Sequence, residues 1–224
     1  MSGDLNIISR KELKFVISDQ DLLKFNHWLF SKKKITPIFQ TRKINSIYFD
    51  EINLQSAIDN LSGIEERKKY RIRWYGDNDT SKINFELKQK INQYSKKITL
   101  KTDFLLSEIN IQNFFNLNSP IVNRYKESII KLIKSKYLEP ILNISYSRSY
   151  YTYNDIRLTF DKNIKYKLLK TNEIREDTSN ILEIKFHEKK NDLVQNLLND
   201  FDFEISRNSK YLKGLYYFDL IDYF

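Results

Sequence analysis

The chain has 224 residues, of which 41% are hydrophobic, 30% charged and 14% aromatic, and this composition excludes an intrinsically disordered chain. It contains no cysteine, which excludes disulfides, thiolate metal sites and cysteine nucleophiles. Lys and Arg number 38 against 29 Asp and Glu, a net charge of +9 that predicts an anionic partner such as nucleic acid, acidic lipid or a phosphate-rich small molecule.

The most regular feature of the sequence is an alternation of large apolar and charged side chains, which is typical of strands with two different faces. Segments with apolar residues at helical spacing lie between these strands. The pattern predicts one mainly antiparallel α+β domain over residues 1–224. In chain order we predict strand 9–17, helix 19–32, strand 43–49, helix 53–61, strands 69–75, 83–90 and 94–101, helices 107–115 and 120–137, strands 140–152, 155–161 and 181–186, and helices 192–201 and 208–220.

The sequence shows no membrane-spanning pattern. It has no uncharged apolar stretch of about 18 residues, and its first residues lack the basic and apolar regions of a signal peptide. We therefore expect a cytoplasmic protein that is not inserted in a membrane.

The polar positions of the predicted strands are rich in cations, as in Arg71 with Arg73 and in Lys88 with Lys90. If the helices cover the apolar face, the charged face lines the interior of a closed sheet, where so many cations require a bound anion. A string of phosphates fits, because phosphates accept charge-assisted hydrogen bonds. For a single strand, a solvated polar face is the more common explanation, but the same excess of Arg and Lys on five or six strands favours the lined interior. The carboxylates on this face, which would hold a divalent metal or fix Arg and Lys side chains, are Glu12, Glu86, Asp161 and Glu183.

Eight short motifs follow one another along the chain, and Arg-Ile-Arg-Trp-Tyr-Gly within the third is the most distinctive part. They are Arg-Lys-Glu-Leu-Lys-Phe (10–15), Ser-Ile-Tyr-Phe-Asp (46–50), Arg-Lys-Lys-Tyr-Arg-Ile-Arg-Trp-Tyr-Gly (67–76), Phe-Glu-Leu-Lys (85–88), Tyr-Ser-Arg (146–148), Ile-Arg-Leu-Thr-Phe-Asp (156–161), Leu-Glu-Ile-Lys-Phe (182–186) and Ser-Lys-Tyr (209–211). In this set and order, the chain resembles the polyphosphate polymerase domain of the vacuolar transporter chaperone (VTC) family, a branch of the CYTH-like triphosphate tunnel metalloenzymes.

The resemblance implies a closed eight-stranded antiparallel β-barrel, a triphosphate tunnel, with helices packed outside. It implies transfer of the terminal phosphate of ATP to a growing polyphosphate chain, with Mn²⁺ or Mg²⁺ as cofactor and ATP and polyphosphate or triphosphate as partners. The residues that it implies as phosphate-binding and catalytic are Arg71, Arg73, Lys88, Arg148 and Arg157, joined by Lys14 and Lys210, with Glu183 as metal ligand.

Four further residues are expected at the same site. Lys185 and Ser209 are expected to bind substrate and Glu12 to be a second metal ligand. Lys97 is also expected to bind substrate, although a β-bulge would put the adjacent Lys96 in its place.

The sequence departs from the wider superfamily at its first motif. The superfamily begins with Glu-x-Glu-x-Lys, whereas Arg10 stands here at the first acidic position. This departure weakens a two-carboxylate metal site on the first strand and fits the VTC branch better than adenylate cyclases or thiamine triphosphatases. The SPX domain and membrane spans of the yeast-type proteins are not expected here.

Alternative functions stay open at this point. Within the same fold they are a metal-dependent inorganic or nucleoside triphosphatase and a nucleotidyl cyclase. Outside enzymes, a non-catalytic polyphosphate or triphosphate sensor and an RNA-binding β-domain also suit the basic charge. The leading interpretation predicts no nucleic-acid partner and leaves the oligomeric state open.

Overall fold

A computed structural model describes residues 10–77, 80–91, 94–115, 120–133 and 137–222. These residues form strands and helices of an α+β protein, as predicted. The strands are β1 (Arg10–Ser18), β2 (Thr36–Asp50), β3 (Glu66–Tyr75), β4 (Lys82–Ile91), β5 (Tyr94–Leu105), β6 (Glu139–Tyr153), β7 (Ile156–Leu168), β8 (Ile174–Glu176) and β9 (Ser179–His187). The helices are α1 (Leu22–Ser31), α2 (Gln55–Leu61), α3 (Pro120–Ile133), α4 (Asn191–Leu198) and α5 (Lys210–Tyr217).

Each of the eight predicted strands has a counterpart, and a ninth, β8, was not predicted. The chain leaves β7 through a turn at Asn172, whose φ is +62°, and returns to pair Ile174 with Lys167. The three residues of β8 are all exposed, so the segment lacks the apolar alternation that would indicate a strand.

The predicted helix 107–115 is wrong. Two short 3₁₀ helices, Leu106–Glu108 and Ile111–Asn113, occupy this segment. The side chain of Asn110 accepts a hydrogen bond from the backbone N–H of Gln112, and such local capping competes with a continuous helix. Residues 134–136 of the predicted helix 120–137 lie outside the described residues.

The strands are hydrogen-bonded in the order β1-β9-β7-β6-β2-β3-β4-β5, with β8 paired to β7. The pairings for which the register is defined are antiparallel. Among the described residues no hydrogen-bonded pairing joins β1 to β5, the two ends of this order. The structure thus confirms an α+β protein with a large antiparallel sheet, whereas hydrogen bonds among the described residues do not confirm closure into an eight-stranded barrel.

The chain divides into two compact units, each with its own apolar core. The first unit comprises residues 1–42, 147–164 and 177–208. Its core packs α1 and the segment after α4 against the apolar face of the β1-β9-β7 ladder. The ring centroids of Phe25 and Phe160 lie 4.2 Å apart, and those of Trp28 and Phe201 lie 4.4 Å apart.

The second unit comprises residues 43–146, 165–176 and 209–224. Its core takes alternate residues of β3 and β4, such as Tyr70, Ile72 and Phe85, together with Phe114 from the loop before α3. Because side chains alternate along a strand, burying this face directs the intervening charged residues to the opposite one.

No helix in the described ranges is both long enough and apolar enough to span a membrane.

Helix α5 lies close to β6 and β7 of the second unit at a glycine. A Cβ atom placed on Gly214 would lie 2.4 Å from Leu142 Cδ2 and 2.6 Å from Tyr166 Cδ1. Both neighbours are fully buried, so they have little room to move. Gly214 therefore sets how closely α5, and the residues at its amino-terminal end, approach the sheet.

We predict that Gly214→Val lowers the free energy of unfolding by about 1–3 kcal/mol, because its side chain would overpack this contact. Urea denaturation measures the change. Tyr216→Val, which puts valine at an exposed position of the same helix, should stay within about 0.5 kcal/mol of wild type. Equal stability of the two variants would contradict the close packing of α5.

Candidate functional site

The charged face of the second unit is built from cross-strand rows of β3, β4 and β5. Each row contains one residue of each strand in antiparallel register. Within the described residues, these three rows place six cations beside one carboxylate. The rows are Arg73-Asn84-Lys101, Arg71-Glu86-Thr99 and Lys69-Lys88-Lys97.

Glu86 is the anionic centre of what we call the arginine cluster, formed by Arg71, Arg73, Glu86 and Lys97. Arg71 donates to Glu86 Oε2 from Nε at 2.7 Å, and its Nη2 lies 2.6 Å from the same oxygen. Arg73 Nη1 lies 3.9 Å from Oε2, and Lys97 pairs with Oε1. One buried carboxylate thus orients three cations, which is one of the two roles expected for the acidic residues of this face.

The electrostatics of Glu86 follow from this sharing. Burial alone would raise its pKa, but Arg71, Arg73 and Lys97 outweigh burial and lower the pKa from 4.5 to about 2. The carboxylate is therefore ionised at neutral pH. It cannot cancel the charge of all the cations around it, which leaves the cluster positive.

Neutral hydroxyl groups complete the positioning of the two arginines. Arg71 Nη1 donates to the Tyr48 hydroxyl at 2.9 Å. Arg73 donates to Ser46 Oγ at 3.0 Å and to the Tyr146 hydroxyl at 3.2 Å. Burial would raise the pKa of Tyr48, but the two arginines and Lys210 outweigh it and lower that pKa. These hydroxyl groups orient guanidinium groups without neutralising them.

The amino-terminal end of α5 adds polar groups within the same unit. Lys69 donates to Ser209 Oγ at 2.8 Å, and Lys210 Nζ lies 4.8 Å from the centre of the Tyr146 ring. Ser209 Oγ also accepts from the backbone N–H of Leu212 at 3.4 Å and so caps the helix. The predicted Ser209 and Lys210 are thereby placed beside contacts of the arginine cluster.

A buried chain of contacts anchors α5 to this face. The Tyr211 hydroxyl donates to Asp50 Oδ2 at 2.7 Å, and the Tyr211 ring stacks on Tyr48 with centroids 5.0 Å apart. Asp50 is fully buried and also accepts from the backbone N–H groups of Ser56 and Ala57 at the start of α2. Tyr48 therefore touches both Arg71 and the residue that fixes α5.

The two predicted lysines of the third row lie at its exposed side. Lys88 and Lys97 are opposite one another in the β4–β5 register. Lys97 rather than Lys96 is on the face of Glu86, because no bulge separates these residues in the ladder. Both side chains are exposed.

The first unit contains a second charged group, which we call the lysine–glutamate cluster: Glu12, Lys14, Glu183 and Lys185. Lys14 Nζ lies 3.0 Å from Glu12 Oε1 and 3.9 Å from Glu183 Oε2. Lys185 pairs with Glu183 Oε1 and lies 3.5 Å from Glu12 Oε2. The β1–β9 register places Lys14 opposite Glu183 and Glu12 opposite Lys185, so the charges alternate in both directions.

Glu183 is buried within this cluster. Burial would raise its pKa, but Lys185, Lys14 and Arg148 outweigh burial and hold the pKa well below its usual range. Lys14 also donates to the backbone carbonyl of Asn208 at 2.8 Å. Glu183 is therefore ionised, and in the free protein both Glu12 and Glu183 contact ammonium groups.

The two predicted arginines of the first unit differ in their surroundings. Arg148 makes a bidentate pair with the buried Asp161, with Nε–Oδ1 at 2.5 Å and Nη2–Oδ2 at 2.7 Å. Arg157 is exposed and stands opposite Lys185 in the β7–β9 ladder. It makes no hydrogen bond or ion pair within the described part of the chain.

A metal site of three or more protein ligands is not found among the described residues, where no group of three His, Cys, Asp or Glu side chains comes together. Glu12 and Glu183, the predicted ligands, offer two carboxylates. Mg²⁺ is commonly held by one or two carboxylates together with substrate phosphates, so this donor set fits such an ion only with phosphate present. Asp161 and Glu86 are held by arginines.

Sequence reasoning missed several groups that position the cations, namely Ser46, Tyr48, Asp50, Lys69, Tyr146 and Tyr211. A signal was present, since all six lie within the motifs, and Ser46, Tyr48 and Asp50 alternate within one of them. Their partners depend on strand register and on the docking of α5, which the motif does not specify.

The model of the VTC domain matches residues 9–218. The chain belongs to the VTC domain family. This match confirms the family resemblance read from the motifs. Comparison with curated proteins finds no match.

Solved structures resemble the chain in fold. The PH1819 protein of Pyrococcus horikoshii has a TM-score of 0.53 and 13% identity, with 93% of this chain and 99% of that one covered. A Bacillus halodurans protein described as a candidate adenylate cyclase has a TM-score of 0.52 and 15% identity, with 90% and 95% covered. With the family match, these similarities support a triphosphate-tunnel fold.

We predict that Glu86→Gln destabilises the protein at neutral pH and that this effect shrinks as the pH falls from about 4.5 towards 2. The pKa of Glu86 in the folded protein is about 2, below its ordinary value of 4.5. Its charge therefore stabilises the protein fully above about pH 4.5, and this contribution is lost as the pH falls to about 2. The shift corresponds to on the order of 3 kcal/mol at neutral pH.

Urea denaturation at a series of pH values measures this difference between wild type and variant. Glu176→Gln serves as the control, because Glu176 is exposed in a surface ion pair with Lys165 and should contribute little. A difference between wild type and Glu86→Gln that does not vary with pH would contradict the electrostatic role of Glu86.

Proposed function

We propose that this protein is a polyphosphate polymerase that transfers the terminal phosphate of ATP to the end of a polyphosphate chain. The observation that carries the proposal is the arginine cluster, in which the cations are oriented by shared contacts with one carboxylate and neutral hydroxyl groups. Membership of the VTC domain family supports the same proposal.

The charge balance favours a polyanionic substrate. In the three rows of β3, β4 and β5, six cations face one carboxylate, and their mutual repulsion is relieved when phosphate oxygens bind. Arginine presents a planar fork of donors that binds two phosphate oxygens together, whereas lysine provides a compact point charge. This mixture suits a chain of phosphates better than a single carboxylate ligand.

The proposed reaction needs little covalent chemistry from the protein. A terminal oxygen of the polyphosphate chain attacks the γ-phosphorus of ATP, a new P–O bond forms, and the bond to the β-phosphate oxygen breaks to release ADP. The attacking phosphate oxygen is already anionic, so no general base is required. The protein's part is to align the reacting phosphates and to stabilise the charge that develops on their oxygens.

The phosphate-binding roles are proposed for the residues that the motifs indicated. Arg71, Arg73, Lys88 and Lys97, with Ser209 and Lys210 at the start of α5, would bind phosphate oxygens in the second unit. The residues proposed for the same role in the first unit are Lys14, Arg148, Arg157 and Lys185. Glu86 and Asp161 would position the arginines that they hold.

Glu12 and Glu183 would hold a divalent metal, Mn²⁺ or Mg²⁺. The ion would supply positive charge that stabilises the negative charge on phosphate oxygens. Lys14 and Lys185, which now contact both carboxylates, would then be available to phosphate oxygens. A cytoplasmic location is part of the same proposal, because ATP is available there.

The test is to incubate the purified protein with ATP and Mn²⁺ and to follow polymer on a gel, phosphate release and cyclic nucleotide. The proposal expects acid-stable polymer and stoichiometric ADP. Phosphate without polymer would identify a triphosphatase, cyclic nucleotide would identify a cyclase, and ATP binding with no product would identify a sensor. Each of these outcomes overturns the polymerase proposal.

Arg157→Ala is the sharpest variant for this assay, because Arg157 is exposed and its loss breaks no described ion pair. We predict that it lowers the rate of polymer formation at least about tenfold, as expected for loss of a charge-assisted phosphate contact, while the unfolding temperature stays unchanged. Arg175→Ala is the control, because it likewise removes one exposed arginine. Arg175 lies in a surface pair with Glu173, and this variant should retain the wild-type rate. Equal activity of both variants would remove Arg157 from the site.

A further inference from the structure

Thr159 on β7 carries a hydroxyl group that has no partner within the described residues. The residue is 3% exposed, and its Oγ1 atom is buried without a hydrogen bond. Most buried polar atoms of native proteins are hydrogen-bonded, and leaving one unsatisfied costs free energy. The group therefore calls for a physical explanation.

The position of Thr159 links it to the lysine–glutamate cluster of the first unit. It stands directly opposite Glu183 in the β7–β9 ladder, and Glu183 stands opposite Lys14 on the other side. Opposite residues on one face of an antiparallel pair have Cβ atoms about 5 Å apart. Thr159 thus lies on the charged face, between Arg157 and Asp161 in the alternation of β7.

The neighbouring polar groups have other partners. The Glu183 carboxylate is held by Lys185 and lies near Lys14. The Asp161 carboxylate accepts both donors of Arg148. The hydroxyl is accordingly an uncharged donor that lies among groups that we have assigned to phosphate and metal.

We propose that Thr159 is a further substrate-binding residue, whose hydroxyl donates a hydrogen bond to a phosphate oxygen of a polyphosphate or triphosphate bound at the lysine–glutamate cluster. This inference rests on the proposed phosphate-binding function. A hydroxyl suits this position because it adds a donor without adding another cation to the repulsion among Lys14, Lys185 and Arg157. Ligand binding then satisfies an atom that is unsatisfied in the free protein.

This role predicts opposite effects on stability and on binding. Thr159→Val keeps the shape but removes the hydroxyl, so the free protein should unfold at the same temperature or slightly higher, while tripolyphosphate binds about tenfold to a hundredfold more weakly. Thr159→Ser keeps the hydroxyl and removes a buried methyl group, so it should lose stability but retain affinity.

The experiment is isothermal titration of wild type and the two variants with tripolyphosphate, with and without Mn²⁺, alongside thermal unfolding of each free protein. Thr102→Val is the matched control. The hydroxyl of Thr102 is buried and donates to the Ile83 carbonyl at 2.8 Å, so this variant should lose stability and bind tripolyphosphate normally.

The outcomes separate this inference from the proposed function. Failure of wild type to bind tripolyphosphate overturns both. Binding by wild type and equal affinity of Thr159→Val overturn only the role of Thr159. Weak binding by both Thr159 variants would also overturn it, because the serine hydroxyl should restore the contact.

Discussion

The organisation of the charged faces depends on an excess of cations over the carboxylates that they contact. Glu86 contacts Arg71, Arg73 and Lys97, and a single negative charge holds three positive ones in place without neutralising them. The three cations repel one another at these separations. Each of them also favours the ionised form of Glu86, so together they lower its pKa. The polyanion that we propose as substrate would relieve the repulsion that these cations exert on one another in the free protein.

The two units hold their cations with different groups. In the second unit, arginines are oriented by a buried carboxylate and by the neutral hydroxyl groups of Ser46, Tyr48 and Tyr146. In the first unit, two glutamates and two lysines alternate across the β1–β9 ladder, so that charges of opposite sign are nearest neighbours. The first arrangement leaves a surplus of positive charge, whereas the second pairs two positive with two negative charges. A metal would replace the ammonium partners of these glutamates under the function that we propose.

The docking of α5 connects ordinary packing to this chemistry. Gly214 allows the helix to approach β6 and β7, and the buried pair of Tyr211 and Asp50 fixes its first turn. Ser209 and Lys210 precede and begin that turn. Residues that have no proposed contact with a ligand thus determine where two predicted ligand-binding groups lie.

Much of this arrangement followed from the sequence alone. The period-two alternation located eight strands and put Arg71, Arg73 and Lys88 on polar faces, because side-chain direction along a strand is a local property. The order of the motifs identified the family for the same reason, since each motif is a short contiguous run. The balance of 38 basic and 29 acidic residues predicted an anionic partner, a consequence of composition that needs no fold.

Only the tertiary structure decided which groups meet. Lys14 and Glu183 are adjacent through strand register, and Asp50 and Tyr211, 161 positions apart, meet through helix docking. Sequence alternation cannot specify such pairings, because register and docking depend on the packing of distant apolar residues. Closure of the sheet and the pairing of the exposed β8 depend on long-range hydrogen bonds for the same reason. That the Thr159 hydroxyl has no partner among the described residues likewise depends on the positions of its neighbours in the folded chain.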